Sequence, residues 1–305
     1  MKQLALGKSD LTTSEISLGC MRIAEMEPSE VAQLIGAALD AGINLFDHAD
    51  IYGNGRSEEV FAKAVGKLPI AREEIVIQSK CGIRKGYYDF SKEYIVSSVE
   101  GILHRLNTDY LDVLILHRPD TLMEPEEVAE AFDQLHHSGK VRHFGVSNHH
   151  SMQIELLNRY LNQKLIVNQL QFGLAFSGMV DAGLNVNMSN DASMNRDGSI
   201  LEYCRVKDMT IQTWSSLQYG FFEGTFLNSD LYPELNKILS RLAEEKSVTS
   251  AAVAIAWVLR HPARMQPVLG TTNAKRVAEM AKASEITLSK QEWYELYLAA
   301  GNKLP

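Results

Sequence analysis

Residues 112–117 read Asp112-Val113-Leu114-Ile115-Leu116-His117, four consecutive apolar side chains between an acid and a histidine. A strand with one wet face alternates apolar and polar residues; a run that is apolar on both faces belongs in a parallel sheet with both faces covered. Runs of this kind occur eight times in all, at Ile16–Arg22, Asn44–Asp50, Ile75–Cys81, Tyr110–His117, Val141–Asn148, Ile166–Phe172, Thr210–Ser216 and Gln266–Thr271. Between the runs lie segments with helical spacing: Ser29–Ala41, Ser57–Val65, Lys92–Arg105, Pro125–Ser138, Ser151–Tyr160, Ile200–Lys207 and Pro233–Lys246. Proline and early acids in Glu27-Pro28-Ser29-Glu30 mark a helix start, and Ala41-Gly42 and Ser138-Gly139 mark helix stops.

Strand followed by helix, repeated along the chain, predicts an α/β fold of the (β/α)8 TIM-barrel type. No linker rich in Pro, Gly or Ser and no internal repeat divides the sequence, so residues 1–305 are expected to form one barrel domain. The first 15 residues precede the first strand and predict a hairpin, with Gly7-Lys8-Ser9-Asp10 as its turn, closing the barrel floor. After strand six comes an inserted loop, Gly173–Ser199, polar and containing glycine and methionine. It is too long for a plain connection and is a candidate lid.

Composition narrows the function. With 45% hydrophobic and 22% charged residues the chain is neither disordered nor collagen-like. Thirty basic residues against thirty-eight acidic ones leave a formal net charge of −8, which argues against nucleic acid or an anionic membrane as partner and for a small molecule. Cys20, Cys81 and Cys204 are odd in number and form no CxxC, so neither a disulfide framework nor a zinc cage is expected. The N-terminus lacks a signal-peptide pattern, and the longest apolar run, Ala251–Leu259, is about half a membrane span. A reducing cytoplasm is the expected compartment.

In such a barrel the C-terminal ends of the strands converge on one face, and polar residues there are where chemistry is sought. Strand two runs out through Phe46-Asp47-His48-Ala49-Asp50-Ile51-Tyr52-Gly53, strand three through Gln78-Ser79-Lys80, and strand four through Leu116-His117-Arg118-Pro119. An Asp, a Tyr, a Lys and a His in one small volume make a proton-transfer group. Tyrosine, with an ordinary pKa of about 10, is a poor acid at neutral pH; an adjacent ammonium lowers that value, and an aspartate can hold the ammonium.

The motifs FDHADIYG (46–53), QSKCG (78–82), LILHRP (114–119), GVSN (145–148) and VNQLQ (167–171), in this order, resemble the aldo-keto reductase family, and the resemblance runs over nearly the whole chain. It implies a (β/α)8 barrel that binds NADPH and reduces aldehydes or ketones without metal. The family's catalytic tetrad falls on Asp47, Tyr52, Lys80 and His117. By the same resemblance Ser147, Asn148 and Gln169 would bind the nicotinamide carboxamide, Trp214 would stack on its ring, and Ser215, Leu217 and the segment to Gly224 would cover the cofactor. At the adenosine end the family often has a Lys-Ser pair followed by an arginine. Here Gly270 takes the lysine position, leaving Thr271, Thr272 and Arg276 to hold a 2′-phosphate, so NADPH is expected over NADH. Glu279 matches a family acid near the adenine, and Met280 replaces a common asparagine.

Other patterns have plainer readings. Tyr88-Asp89-Phe90-Ser91-Lys92 spells the YxxxK of short-chain dehydrogenases, but no GxGxxG accompanies it. The pair Asp47 and Asp50 lacks the HxH on strand one that a barrel metallohydrolase would use, so no metal site is expected. His136-His137 and His149-His150 are expected at solvated helix boundaries, and Cys81 as a buried, inert thiol. The substrate pocket is expected to draw on Met21, Arg22, Tyr87, Tyr88, Arg118 and the segments 173–199 and 217–230. Arg22 or Arg118 would suit an acidic substrate, although a rim arginine more often pairs with a neighbouring carboxylate than with a ligand. The alternative to an enzyme is a redox-sensing regulatory subunit resembling the barrel subunits of potassium channels.

Overall fold

A computed structural model describes residues 1–305. Eight strands, Ser17–Gly19, Leu45–Asp47, Val76–Cys81, Leu111–Leu116, Val141–Ser147, Leu165–Gln171, Thr210–Trp214 and Gln266–Leu269, pair in parallel, and the eighth pairs with the first to close the barrel. Each lies inside one of the eight apolar runs or within one residue of it. The fourth strand shows why both of its faces are apolar. Val113 and Ile115 point into the barrel, against Leu45, Val76, Ile166 and Val167. Leu114 and Leu116 point outward into the larger cluster beneath the helices.

The helices bury one stripe each. In Pro125–His137 the stripe is Val128, Ala131, Phe132 and Leu135, at i, i+3, i+4 and i+7, and Phe132 stacks on Phe144 of strand five at 4.0 Å. The helix starting at Pro28 is held by Glu30, whose carboxylate accepts from the Glu27 amide at 3.2 Å. No helix is long and apolar enough to cross a membrane.

The N-terminal hairpin forms as expected: Gln3–Ala5 pairs antiparallel with Thr12–Ser14. Its turn carries fully buried Leu6 into the barrel floor against Leu45, Val113 and Ile166. Two expectations need correction. The segment 173–199 is not a bare loop, because it contains a helix, Gly178–Leu184, docked through buried Met179 and Val180 and through Asp181, which accepts from the Tyr297 hydroxyl at 2.7 Å. A seven-residue helix with Gly178 and Gly183 shows almost no periodicity in sequence. Three further helices, Ser250–Leu259, Ala274–Ala281 and Lys290–Ala299, join the outer layer. The first buries every residue from Ala252 to Val258, so it has no polar face to reveal a helical period.

Gly7 has φ +57°, and a Cβ there would lie 2.2 Å from the Ile166 carbonyl oxygen, while its amide donates to Thr210 Oγ1 at 2.7 Å. Gly7→Ala must therefore displace the hairpin from the barrel floor. A loss of about 2–4 kcal/mol in chemical denaturation is expected; a loss below about 0.5 kcal/mol would show that the floor yields freely.

Candidate active site

Strands two and three are paired with Asp47 opposite Gln78, and Lys80 lies two residues further on the same inward face. Strand two is followed by a tight turn, Tyr52–Gly55, with positive φ at Gly53, Asn54 and Gly55. At Gly53 a Cβ would stand 2.5 Å from the Ala24 methyl, so only glycine lets this turn pack down and bring Tyr52 back over the barrel.

The result is a compact group. Lys80 is fully buried, and its Nζ donates to Asp47 Oδ2 at 2.8 Å, to the His48 carbonyl at 2.7 Å and to Tyr52 Oη at 3.1 Å. Three acceptors match the three ammonium hydrogens. The His117 ring meets the Tyr52 ring edge-on, with centroids 6.0 Å apart. Burial pulls the Lys80 pKa down, but Asp47 and Tyr52 more than offset it and hold the group above its ordinary 10.5, so it stays an ammonium. Burial pushes His117 well below 6.5, helped by Lys80 and Arg118, and the ring is neutral.

Tyr52 departs from expectation. Burial raises its hydroxyl and outweighs the lowering by Lys80, so its pKa lies above 10 and the phenol is protonated throughout the neutral range. Sequence identifies the ammonium beside the hydroxyl; only the packed site shows that desolvation is the larger effect.

Asp47, Tyr52 and His117 line a cavity of about 830 Å³ at the C-terminal mouth of the barrel, with Lys80 sealed beneath it. Ser147, Asn148, Gln169, Trp214, Ser215 and Leu217 line the same cavity, which extends to Gly270, Thr271, Thr272 and Arg276. Local bonds fix what each can still offer. Ser147 Oγ donates to the Gln169 carbonyl at 3.0 Å and accepts from Asn148 Nδ2 at 2.7 Å, while Asn148 Oδ1 accepts from the Trp214 indole at 3.3 Å. Gln169 Nε2 donates to Asp47 Oδ1 and to Gln212 Oε1, each at 3.1 Å. One N–H of Asn148 and the oxygens of Gln169 and Ser147 remain: one donor and two acceptors, the complement of a primary carboxamide. At the far end Asn273 caps the helix Ala274–Ala281 by accepting from the Arg276 amide at 3.1 Å, and the Arg276 side chain is exposed.

A family model for the aldo/keto reductases matches residues 15–297. The chain belongs to the aldo/keto reductase family. It is similar to a 6-dehydroglucose reductase of Agrobacterium fabrum, 36% identical over 99% of both chains, and to the oxidoreductase YdhF of Escherichia coli, 35% identical over 94% of this chain and 93% of that one. A more distant relative, 26% identical over 94% of this chain and 92% of that one, is a probable voltage-gated potassium channel subunit beta of rice. The crystal structure of a thermostable aldo-keto reductase, Tm1743, shares the fold, with a TM-score of 0.78 at 24% identity over 98% of this chain and 100% of that one. As an aldo/keto reductase the protein is a nicotinamide-dependent oxidoreductase.

Tyr88 is exposed and Lys92 pairs with Glu130 at 2.8 Å, so the YxxxK lies outside the site. His136, His137 and His150 are exposed, whereas His149 is buried, with Nδ1 2.9 Å from the Ser147 carbonyl. Cys81 is fully buried, and its thiol is pushed well above its ordinary range by burial. No group of three His, Cys, Asp or Glu side chains could hold a metal.

One feature escapes the sequence. Gln78, Gln212 and Gln266 form a relay inside the barrel. Gln78 Nε2 donates to Asp47 Oδ1 at 2.5 Å and to Gln212 Oε1 at 2.8 Å, Gln212 donates to Gln266 Oε1 at 2.8 Å, and Gln266 donates to Thr13 Oγ1 at 2.9 Å. Lone glutamines in apolar runs give no signal of such a network. Phe222, inside the segment expected to cover the cofactor, stacks on Trp214 with ring centres 5.9 Å apart.

Beside the tetrad, burial, aided by the charge on Glu58, lifts the Asp50 carboxyl from its ordinary 3.8 to about 7, against a 3.3 Å hydrogen bond from Tyr94. The unfolded chain therefore releases this proton first, and stability is lost as pH rises from about 4 to 7. Asp50→Asn is expected to gain about 1–3 kcal/mol more over wild type at pH 8 than at pH 5. Urea denaturation at the two pH values measures this; an equal gain at both would contradict it.

Proposed function

We propose that the enzyme reduces an aldehyde or ketone to the alcohol with NADPH, using Tyr52 as general acid. The observation that carries this reading is the Lys80 ammonium, held at 2.8 Å by Asp47 and placed 3.1 Å from the Tyr52 hydroxyl beside neutral His117 in a cavity wide enough for cofactor and substrate. When bound, the reduced nicotinamide supplies a hydrogen and two electrons to the carbonyl carbon. Tyr52 gives its proton to the carbonyl oxygen, and Lys80 stabilises the phenolate left behind. His117, neutral, orients the carbonyl. Solvent returns the proton, so alcohol and oxidised cofactor leave an unchanged enzyme.

The free donor of Asn148 and the acceptors of Gln169 and Ser147 would hold the carboxamide, and Trp214 would carry the ring. Thr271, Thr272 and Arg276 would hold the 2′-phosphate, which supports NADPH over NADH. The relatives named as 6-dehydroglucose reductases, in Agrobacterium fabrum and in Novosphingobium aromaticivorans at 33% identity, support the reductive direction. Three free, buried thiols suit a reducing cytoplasm. The channel-subunit reading rests on the rice relative, and no feature of the site favours it.

Tyr52→Phe should lower kcat by roughly 10²- to 10⁴-fold and leave cofactor affinity nearly intact, since only the transferable proton is lost. Near-normal kcat with an aldehyde would remove Tyr52 from the mechanism. For cofactor choice, Arg276→Ala should raise KM for NADPH by about 10-fold or more and barely move KM for NADH, because a charge-assisted hydrogen bond to phosphate is worth about 1.5–3 kcal/mol. Steady-state kinetics with both cofactors decide it: equal weakening would mean general damage, and no change would leave the preference without Arg276.

A further inference from the structure

Four arginines of this chain are half-buried: Arg72, Arg105, Arg118 and Arg260. Three of them hold an oxygen close by. Arg72 meets Asp112 at 2.7 Å, Arg105 meets Glu58 at 2.7 Å, and Arg260 donates to the Leu288 carbonyl at 2.6 Å. Arg118 is the exception. No carboxylate stands within 4.0 Å of it, it makes no hydrogen bond, and its guanidinium sits 5.7 Å from the centre of the Trp214 ring. The pairing expected of a rim arginine is absent here, although a cation half out of water loses hydration that only an acceptor can replace.

Its position gives that missing acceptor a place. Arg118 follows His117 in sequence and lines the catalytic cavity with Tyr52. Arg118, Trp214 and Asn148 are also the wall shared with a second cavity of about 830 Å³ under the inserted segment 173–199. Of the three carboxylates lining that cavity, Asp181 accepts from Tyr297 and Asp197 from the Ile200 amide, while Asp191 is exposed and forms no ion pair with Arg118. On the catalytic side Asp47 is neutralised by Lys80, and His117 carries no charge. Arg22, exposed and likewise without an ion pair, lines the same mouth. Two cations without a paired carboxylate, Arg118 and Arg22, therefore line the cavity that Tyr52 lines, in a protein whose net charge is −8.

We propose that Arg118 binds an oxyanion on the substrate, so that the preferred carbonyl compounds are acidic ones, with a carboxylate or phosphate a short chain away from the aldehyde or keto carbon. A planar guanidinium with its N–H groups free presents the fork that fits either oxyanion. This rests on the reductase reading with Tyr52 as acid, and it adds the class of substrate. Trp214 braces the guanidinium from one face by a cation–π contact and leaves its edge to the substrate.

The test uses the full chain, NADPH and matched pairs of substrates: succinate semialdehyde against butanal, and glyceraldehyde 3-phosphate against glyceraldehyde. The acidic member of at least one pair should have a kcat/KM about 10-fold or more higher, mainly through KM, and the pair that shows the larger ratio tells carboxylate from phosphate. In Arg118→Met that ratio should collapse to within about 3-fold of unity, with Arg118→Lys between. A second readout needs neither cofactor nor turnover: 4-hydroxybutyrate or glycerol 3-phosphate, titrated into the cofactor-free protein, should quench tryptophan fluorescence in the wild type and not in Arg118→Met. Thermal unfolding of the variants confirms that they are folded, and Arg118→Lys serves if the methionine variant is not. Equal use of both members of each pair, or preference for glyceraldehyde or butanal, overturns the proposal and leaves the reductase intact. A ratio that survives in Arg118→Met overturns it as well. If no carbonyl compound is reduced at all, the reductase reading fails, and the fluorescence titration still decides whether Arg118 binds the oxyanion.

Discussion

Everything near the mouth of this barrel is arranged around one ammonium group held out of water. Removing a lysine head group from solvent costs several kcal/mol, which only close, well-aimed acceptors can offset. Lys80 has three of them, and they come from different parts of the local chain: a carboxylate from the end of strand two, a main-chain carbonyl one residue later, and the hydroxyl of a tyrosine brought back by a glycine turn. The registration of strands two and three, the positive-φ turn at Gly53–Gly55 and the depth of the cavity floor are all conditions for that single group to remain charged and dry.

The same demand spreads inward. Asp47 spends one oxygen on Lys80, so its other oxygen must be satisfied in the barrel interior, where Gln78 and Gln169 donate to it. Each of those amides leaves a second N–H, and Gln212 accepts both. The chain of amides ends through Gln266 on Thr13 and Ser14 of the N-terminal hairpin. A buried polar network is stabilising only when complete. The hairpin thus does more than plug the barrel with Leu6, because its second strand supplies the last acceptors in a series that begins at the catalytic mouth.

Electrostatics divides the mouth into two environments. Around Tyr52 the charges cancel locally, Lys80 against Asp47, while burial keeps the phenol and the His117 ring in their neutral forms. Elsewhere on the same cavity wall they do not cancel, and Arg118 lies against Trp214 without a paired carboxylate. The proposed proton transfer calls for the first condition, a protonated phenol beside a fixed cation. The proposed selection of acidic substrates calls for the second, since a free guanidinium distinguishes an oxyanion from a methyl group far better than an apolar wall does.

The sequence by itself determined the barrel and named the four residues proposed as the tetrad. Runs such as Val113–Leu116 must be covered on both faces, and that fixes a parallel sheet with helices outside; the short interval from Asp47 to Tyr52 and the strand-end positions of Lys80 and His117 are local facts that no distant contact alters. Tertiary structure decided what depends on neighbours far away in the chain. Gln212 meets Gln78 across 134 residues, a pairing that no periodicity marks. The helix Ser250–Leu259 is buried all round, so its amphipathic signature is missing because its surroundings are apolar on every side. The Tyr52 pKa depends on a contest between burial and Lys80, and the charge on Arg118 stands open because no carboxylate is folded to within reach of it. Motifs state which groups are present; desolvation and unpaired charge are properties of the space between elements, and that space exists only once the barrel has closed.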